Sequence, residues 1–315
     1  MIKTPICDLL GIEYPIFQGG MAWIADSSLA AAVSEAGGLG IIAAMNANAQ
    51  WLKNQIHQVR ELTDKPFGVN IMLMSPFADE VAQMAIEEKV PVVVTGAGNP
   101  SKYMKAWKEA GIKVIPVVAS VALAKMVAKR GADAVIAEGG ESGGHVGDLT
   151  TMVLVPQVVD AVDIPVLAAG GIADGRAVAA AFMLGAQGVQ VGTRFLVASE
   201  CNVHPTYKQK VLKAKDIDTM VTGRRLGHPV RAIRNAFTRE YMKKEYNSNV
   251  TDEELEAMAV GSLRKAAVEG NEKEGTFLAG QAAAMVTKEE PAAAIIQEMF
   301  SEAQTVLEGA GKWLK

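Results

Sequence analysis

IPVLAAGGIADGRAVAAAFMLGAQGVQVGTRF, residues 164–195, contains two short apolar segments separated by a stretch long enough for one helix. Each segment ends in a glycine-bearing loop, AAGG at 168–171 and VGT at 191–193. A buried strand, a helix and a second buried strand make one repeating unit, and the question is how often it recurs. Moving outward, the same kind of segment appears as YPIFQG from Tyr14, GLGIIAA from Gly38, FGVNIML from Phe67, VPVVVTGA from Val90, KVIPVVA from Lys113 and ADAVIAE from Ala132. Between them lie stretches such as SSLAAAVSEAG and VALAKMVAKRG, whose apolar residues return every three or four positions and whose ends carry a serine cap or a glycine stop. Eight parallel strands, apolar on both faces and evenly separated by helices, predict an α/β fold of the (β/α)8, or TIM, barrel type. A doubly wound sheet usually has fewer units and a glycine-rich turn after its first strand.

After the eighth strand the alternation stops. The reading places the barrel in residues 1–198, a smaller, mainly helical insertion over its mouth in 199–287, and a C-terminal helix returning to the barrel in 288–315. The last segment, EEPAAAIIQEMFSEAQTVLEGAGKWL, has the apolar stripe that such a helix needs.

Composition narrows the function. The 315 residues are 50% hydrophobic and 21% charged, enough for a large domain able to bury a cofactor. The net charge of −4 argues against a nucleic-acid protein, and no apolar run approaches the roughly 18 residues that cross a bilayer. Two cysteines, Cys7 and Cys201, make neither a disulfide framework nor a metal cluster. With no leader-like start, the expected location is the cytoplasm. No metal is expected either, since His145 has no second histidine or cysteine at ligand spacing.

A barrel places its active site at the carboxyl ends of the strands, commonly with a phosphate between the last two loops. Gly170 and Gly171 follow strand seven, and Gly192 and Thr193 follow strand eight, so an anion is expected on their backbone N–H groups near a helix N-terminus. Either pair alone reads equally well as a tight turn; their consecutive placement favours the anion. GAGNPS from Gly96 matches a dinucleotide fingerprint only in its first three residues and follows strand four, so it is discounted. Gln18, Asn70, Thr95 and Glu138 end strands one, three, four and six. Singly each is an ordinary turn residue; together they share one end of the barrel. AEGGESGGHVGD, residues 137–148, sets His145 among five glycines, a composition suited to a loop that approaches a bound group closely. His57 and His204 read as structural, and His228 as facing either solvent or the substrate channel.

The segments YPIFQGGMAW, GGLGII, PFGVNIML, EGGESGGHVGD, AAGGIADGR and GVQVGTRF resemble the flavin barrel superfamily of nitronate monooxygenase and FMN-dependent enoyl-acyl-carrier-protein reductase, type II. KPFGVNIMLMSP, TGAGNPSKYM and IPVVASVALAK are more similar to the reductase branch. The resemblance implies FMN, with its phosphate at Gly170, Gly171, Gly192 and Thr193. It implies the isoalloxazine near Gly20, Met21, Asn70 and Thr95, with Glu138, Gly143 and Gly144 contributing. Ser142 stands where alanine is the more usual residue of this motif.

By the same resemblance His145 is the catalytic residue beside the flavin, and an imidazole with an unperturbed pKa of about 6.5 can move a proton at neutral pH. NADH or NADPH would be the reductant, a trans-2-enoyl thioester on acyl carrier protein the acceptor, and a homodimer the assembly. Between Tyr207 and Lys244 the chain has eleven Lys and Arg against three Asp and Glu, a basic stretch suited to an acidic carrier and equally to a solvated face. The competing expectations are a nitronate monooxygenase using oxygen and an FMN-binding protein without turnover.

Overall fold

In the computed structural model, which describes residues 2–45 and 47–313, every one of the eight predicted segments contains a strand. Those strands are β1 (Ile16–Gln18), β2 (Gly40–Ala43), β3 (Phe67–Met72), β4 (Val92–Gly96), β5 (Lys113–Val118), β6 (Val135–Glu138), then, after the two-residue β7 (Gly144–His145), β8 (Val166–Ala169) and β9 (Gly188–Val191). They form a parallel sheet in the order β1-β9-β8-β6-β5-β4-β3-β2. A Phe17–Leu39 bridge joins its two ends and makes a barrel. Gln18 N–H donates to Leu39 O (3.0 Å) and Leu39 N–H to Ile16 O (2.8 Å).

Burial of both faces explains why the strands are mostly apolar. Phe17, Leu39, Ile41, Val92, Val94, Ile115, Ile136 and Leu167 pack together inside the barrel. Their neighbours Val69, Val93, Val135, Val166 and Val189 belong to the larger cluster beneath the helices. Both faces are therefore dry, as a parallel barrel requires. Side-chain caps fix where several helices begin: Asp26 accepts from Ser28 and Leu29 N–H, Ser120 from Leu123, and Asp174 from Ala177. The helix Ala292–Glu308 lies against Gly175–Met183 so closely that Glu302 accepts the Gly175 N–H at 2.7 Å.

The stretch after β9 differs in one respect from the helical expectation. Beside the helices Pro205–Leu212, Ala236–Glu245, Asp252–Ala259 and Ser262–Ala267, it forms an antiparallel hairpin of β10 (Thr219–Thr222) and β11 (Val230–Ile233). β11 also pairs with β7, Val230 opposite His145 and Arg231 opposite Gly144. VRAI is short and followed by another arginine, and its partner is 85 residues earlier, so no local pattern announces the pairing. Val203, Tyr207, Val211, Ile233 and Phe277 join the barrel's outer cluster, so this stretch shares the main core. Among the described residues no helix is long and apolar enough to cross a membrane, and no group of three or more His, Cys, Asp or Glu could hold a metal ion.

Candidate active site

A cavity of about 450 Å3 opens at the carboxyl ends of the barrel strands. Eleven of the twelve residues nominated from the sequence line it: Gly20, Met21, Asn70, Glu138, Gly143, Gly144, His145, Gly170, Gly171, Gly192 and Thr193. Thr95 does not. It is only 1% exposed and alternates with the inward-facing Val94, so it points toward the helical layer, and Gly96 and Ala97 do the lining instead. Gln18 is also structural: its side-chain oxygen accepts the Ile41 N–H at 3.0 Å, holding β1 to β2.

Three inward-facing polar side chains form the floor. Asn70 on β3 and Gln190 on β9 are buried, and Asn70 Oδ1 and Gln190 Oε1 have no protein hydrogen-bond partner. Buried acceptors left unmet cost about 1–3 kcal/mol each, which makes them candidates for contact with a bound group. Gln190 was missed in the sequence, although a lone amide between the outward-facing Val189 and Val191 was a readable signal. Glu138, ending β6, is the third. Burial pushes its carboxyl up to about 7, against the opposing hydrogen bond from Ser142 Oγ at 3.0 Å.

The glycine loops form the wall. Gly170 and Gly171 have φ of 94° and 74°, left-handed values that give the turn its shape and that L side chains resist. The helix that follows has its first N–H groups engaged by carboxylates, Ala177 by Asp174 and Gly175 by Glu302. An anion would therefore meet the loops rather than that helix terminus. The 3-10 turn Thr193–Val197, which begins beside them, has no side-chain cap.

His145 sits on β7 with its ring exposed at the cavity. Partial desolvation, then the neighbouring His228, lowers its pKa below the usual imidazole value, so the ring is neutral at neutral pH. His228 lies at the turn between β10 and β11, where Pro229 O accepts the Val146 N–H at 3.0 Å. His57 and His204 are structural: His57 Nε2 lies 3.1 Å from Glu88, and His204 Nδ1 accepts the Thr206 N–H at 3.2 Å.

Distant segments fix the histidine loop. Arg231 donates from Nε and Nη2 to Gly140 O at 3.1 and 2.9 Å. Glu141 accepts from Thr151 N–H and Oγ1 at 2.9 and 3.0 Å. The segment Phe277–Gln281 crosses the loop, Gln281 N–H reaching Glu141 O at 2.9 Å and Gly280 N–H reaching Thr193 Oγ1 at 2.9 Å. Buried Tyr207 holds the same segment by donating to Leu278 O at 2.7 Å. Glu141, Tyr207 and Leu278 also line the cavity, and none was nominated from the sequence.

The family model described as nitronate monooxygenase matches residues 3–302. The chain belongs to the nitronate monooxygenase family. A probable nitronate monooxygenase of Staphylococcus aureus is 35% identical, over 97% of this chain and 99% of that protein. The (3aS,4S,5R,7aS)-5-hydroxy-7a-methyl-1-oxo-octahydro-1H-indene-4-carboxyl-CoA dehydrogenase of Mycobacterium tuberculosis is 43% identical over 74% of this chain, and that match spans 66% of the dehydrogenase. The solved structure of FabK from Thermotoga maritima superposes with a TM-score of 0.97 at 52% identity, covering 100% of both chains.

Proposed function

We propose that this family member is an FMN-dependent enoyl-acyl-carrier-protein reductase, reducing trans-2-enoyl thioesters with NADH or NADPH. The observation that carries the reading is the full-length likeness to FabK at 52% identity. The cavity suits FMN by its chemistry. Asn70 and Gln190 offer amides to a polar heterocycle, and the Gly170–Gly171 and Gly192–Thr193 loops offer backbone N–H groups to a phosphate. Its volume is in the ordinary range for a small-molecule site. When bound, FMN would supply the hydride chemistry between the nicotinamide and the β-carbon of the thioester.

The chain's residues supply the rest. As negative charge grows on the thioester oxygen, a backbone N–H of the glycine loop, or His145 itself, would be the donor. His145 is the group proposed to deliver the proton to the α-carbon; its ring is neutral at rest, so it would first take up that proton from solvent at its exposed edge. Buried Tyr207 and half-buried Leu278 help close the cavity against water. Acyl carrier protein would dock on the basic stretch. Lys208, Lys210, Arg224, Arg225 and Arg231 are engaged within the chain, leaving exposed Lys213, Lys215, Arg234, Arg239, Lys243 and Lys244 for an acidic partner. The assembly proposed is a homodimer.

Nitronate oxidation is the second reading, favoured by the family model and the S. aureus relative. Nicotinamide oxidation by the purified protein, measured with crotonyl and longer enoyl thioesters under argon, with a nitronate plus oxygen as control, separates the two. His145→Ala should abolish acyl reduction and retain bound FMN. Turnover of the nitronate alone would overturn the reductase assignment, and flavin binding without either turnover would leave a binding protein.

A further inference from the structure

Ser142 has no place in the chemistry above, yet its side chain is buried, 9% exposed, and directed at a group on the cavity floor. Its hydroxyl donates to Glu138 Oε1 at 3.0 Å. Among the described residues this is the only hydrogen bond to that carboxyl, and no ion pair reaches it. The two residues bracket the turn that begins the histidine loop. β6 fixes Glu138, while Ser142 N–H donates to Gly139 O at 3.1 Å, so the hydroxyl is held in place by its own backbone.

Other charged groups near the loop have different partners. Glu141 is turned to Thr151, and Arg231 to Gly140 O and Thr219. His145 is paired opposite Val230 and feels the charge of His228 in the turn before β11. Glu138 therefore depends on Ser142 for the stability of its charged form.

We propose that Ser142 is a positioning residue that holds the Glu138 carboxyl aimed into the cavity, as an acceptor for N–H or O–H donors of the bound cofactor. This rests on the FMN reading and deepens it, because a carboxylate accepts from the ribityl hydroxyls or the ring imide whereas a neutral acid competes with them as a donor. The charge-assisted bond from Ser142 favours the anion, and burial opposes it. Removing the hydroxyl would move the proton equilibrium toward the neutral acid without altering the barrel.

The test uses the full chain, freed of flavin, in wild-type, Ser142→Ala, Glu138→Gln and doubly substituted forms. Riboflavin 5'-phosphate binding is followed by quenching of flavin fluorescence from pH 5.5 to 9. Affinity of the wild type should rise through a midpoint near 7. Ser142→Ala should displace that midpoint upward by about one pH unit, the size expected for loss of one hydrogen bond to a charged group. Glu138→Gln should remove this component, leaving the titrations of the phosphate and the histidines. In that background Ser142→Ala should change the profile no further. An unmoved midpoint in Ser142→Ala, or an intact component in Glu138→Gln, would overturn the proposal.

The carboxyl stretch of protonated Glu138, read by difference infrared spectroscopy on the flavin-free protein, follows the same equilibrium without cofactor. Failure of the wild type to bind flavin would sink the FMN reading and with it the cofactor contact proposed here. Infrared midpoints that coincide in wild type and Ser142→Ala would sink the role of Ser142 by itself.

Discussion

Glu138→Gln offers a stability measurement that needs neither cofactor nor substrate. In the folded protein burial raises the carboxyl from 4.5 to about 7, so the native state holds the proton more tightly than the unfolded chain does. The associated stabilisation is fully present below 4.5 and is lost as pH rises through 7. Converted at 1.36 kcal/mol per pH unit, that displacement amounts to about 3 kcal/mol, reduced to about 2 kcal/mol because the carboxyl borders an open cavity. Glutamine keeps the shape and still accepts from Ser142, but never ionises. The variant should therefore match wild type near pH 4.5 and exceed it by about 2 kcal/mol at pH 8. Urea denaturation of the flavin-free proteins at the two pH values gives both numbers. An equal gain at both, or a loss at pH 8, would refute the claim that a buried, ionising carboxyl forms the cavity floor.

Gly143→Ala would put a Cβ 2.6 Å from the Ala279 backbone, and should cost about 1–3 kcal/mol in a thermal melt while lowering flavin content. Arg231→Ala removes both donors to Gly140 O. It should speed hydrogen exchange at Gly144–Val146 about tenfold while the barrel strands exchange as before. Ala97→Gly should stabilise the fold by about 1 kcal/mol in the same melt, because Ala97 lines the cavity at a left-handed φ of 51°.

The local pattern of the chain carried the barrel. Each strand is an apolar run of a few residues and each helix a 3.6-residue stripe with a cap, signals contained within a dozen residues. The same is true of Gly170, Gly171, Gly192 and Thr193: once strands seven and eight are known, the loops after them must lie at the mouth. Thr95 shows how far this reaches. The end of β4 was readable, but the facing of its last side chains follows from which of Val92, Val93 and Val94 points inward, and an all-valine run does not say.

The chain by itself determined an eight-stranded barrel with glycine-rich loops at one end, because strand and helix formation answer to neighbours in sequence. Tertiary structure alone decided what stands over that end: Arg231 against Gly140, Gly280 against Thr193, and β11 beside His145. These partners are separated by about 85 residues or more, and their meeting depends on how the insertion packs its apolar side chains into the barrel's outer core. Periodicity is blind to such meetings, since it records which face of a segment is buried and not what buries it.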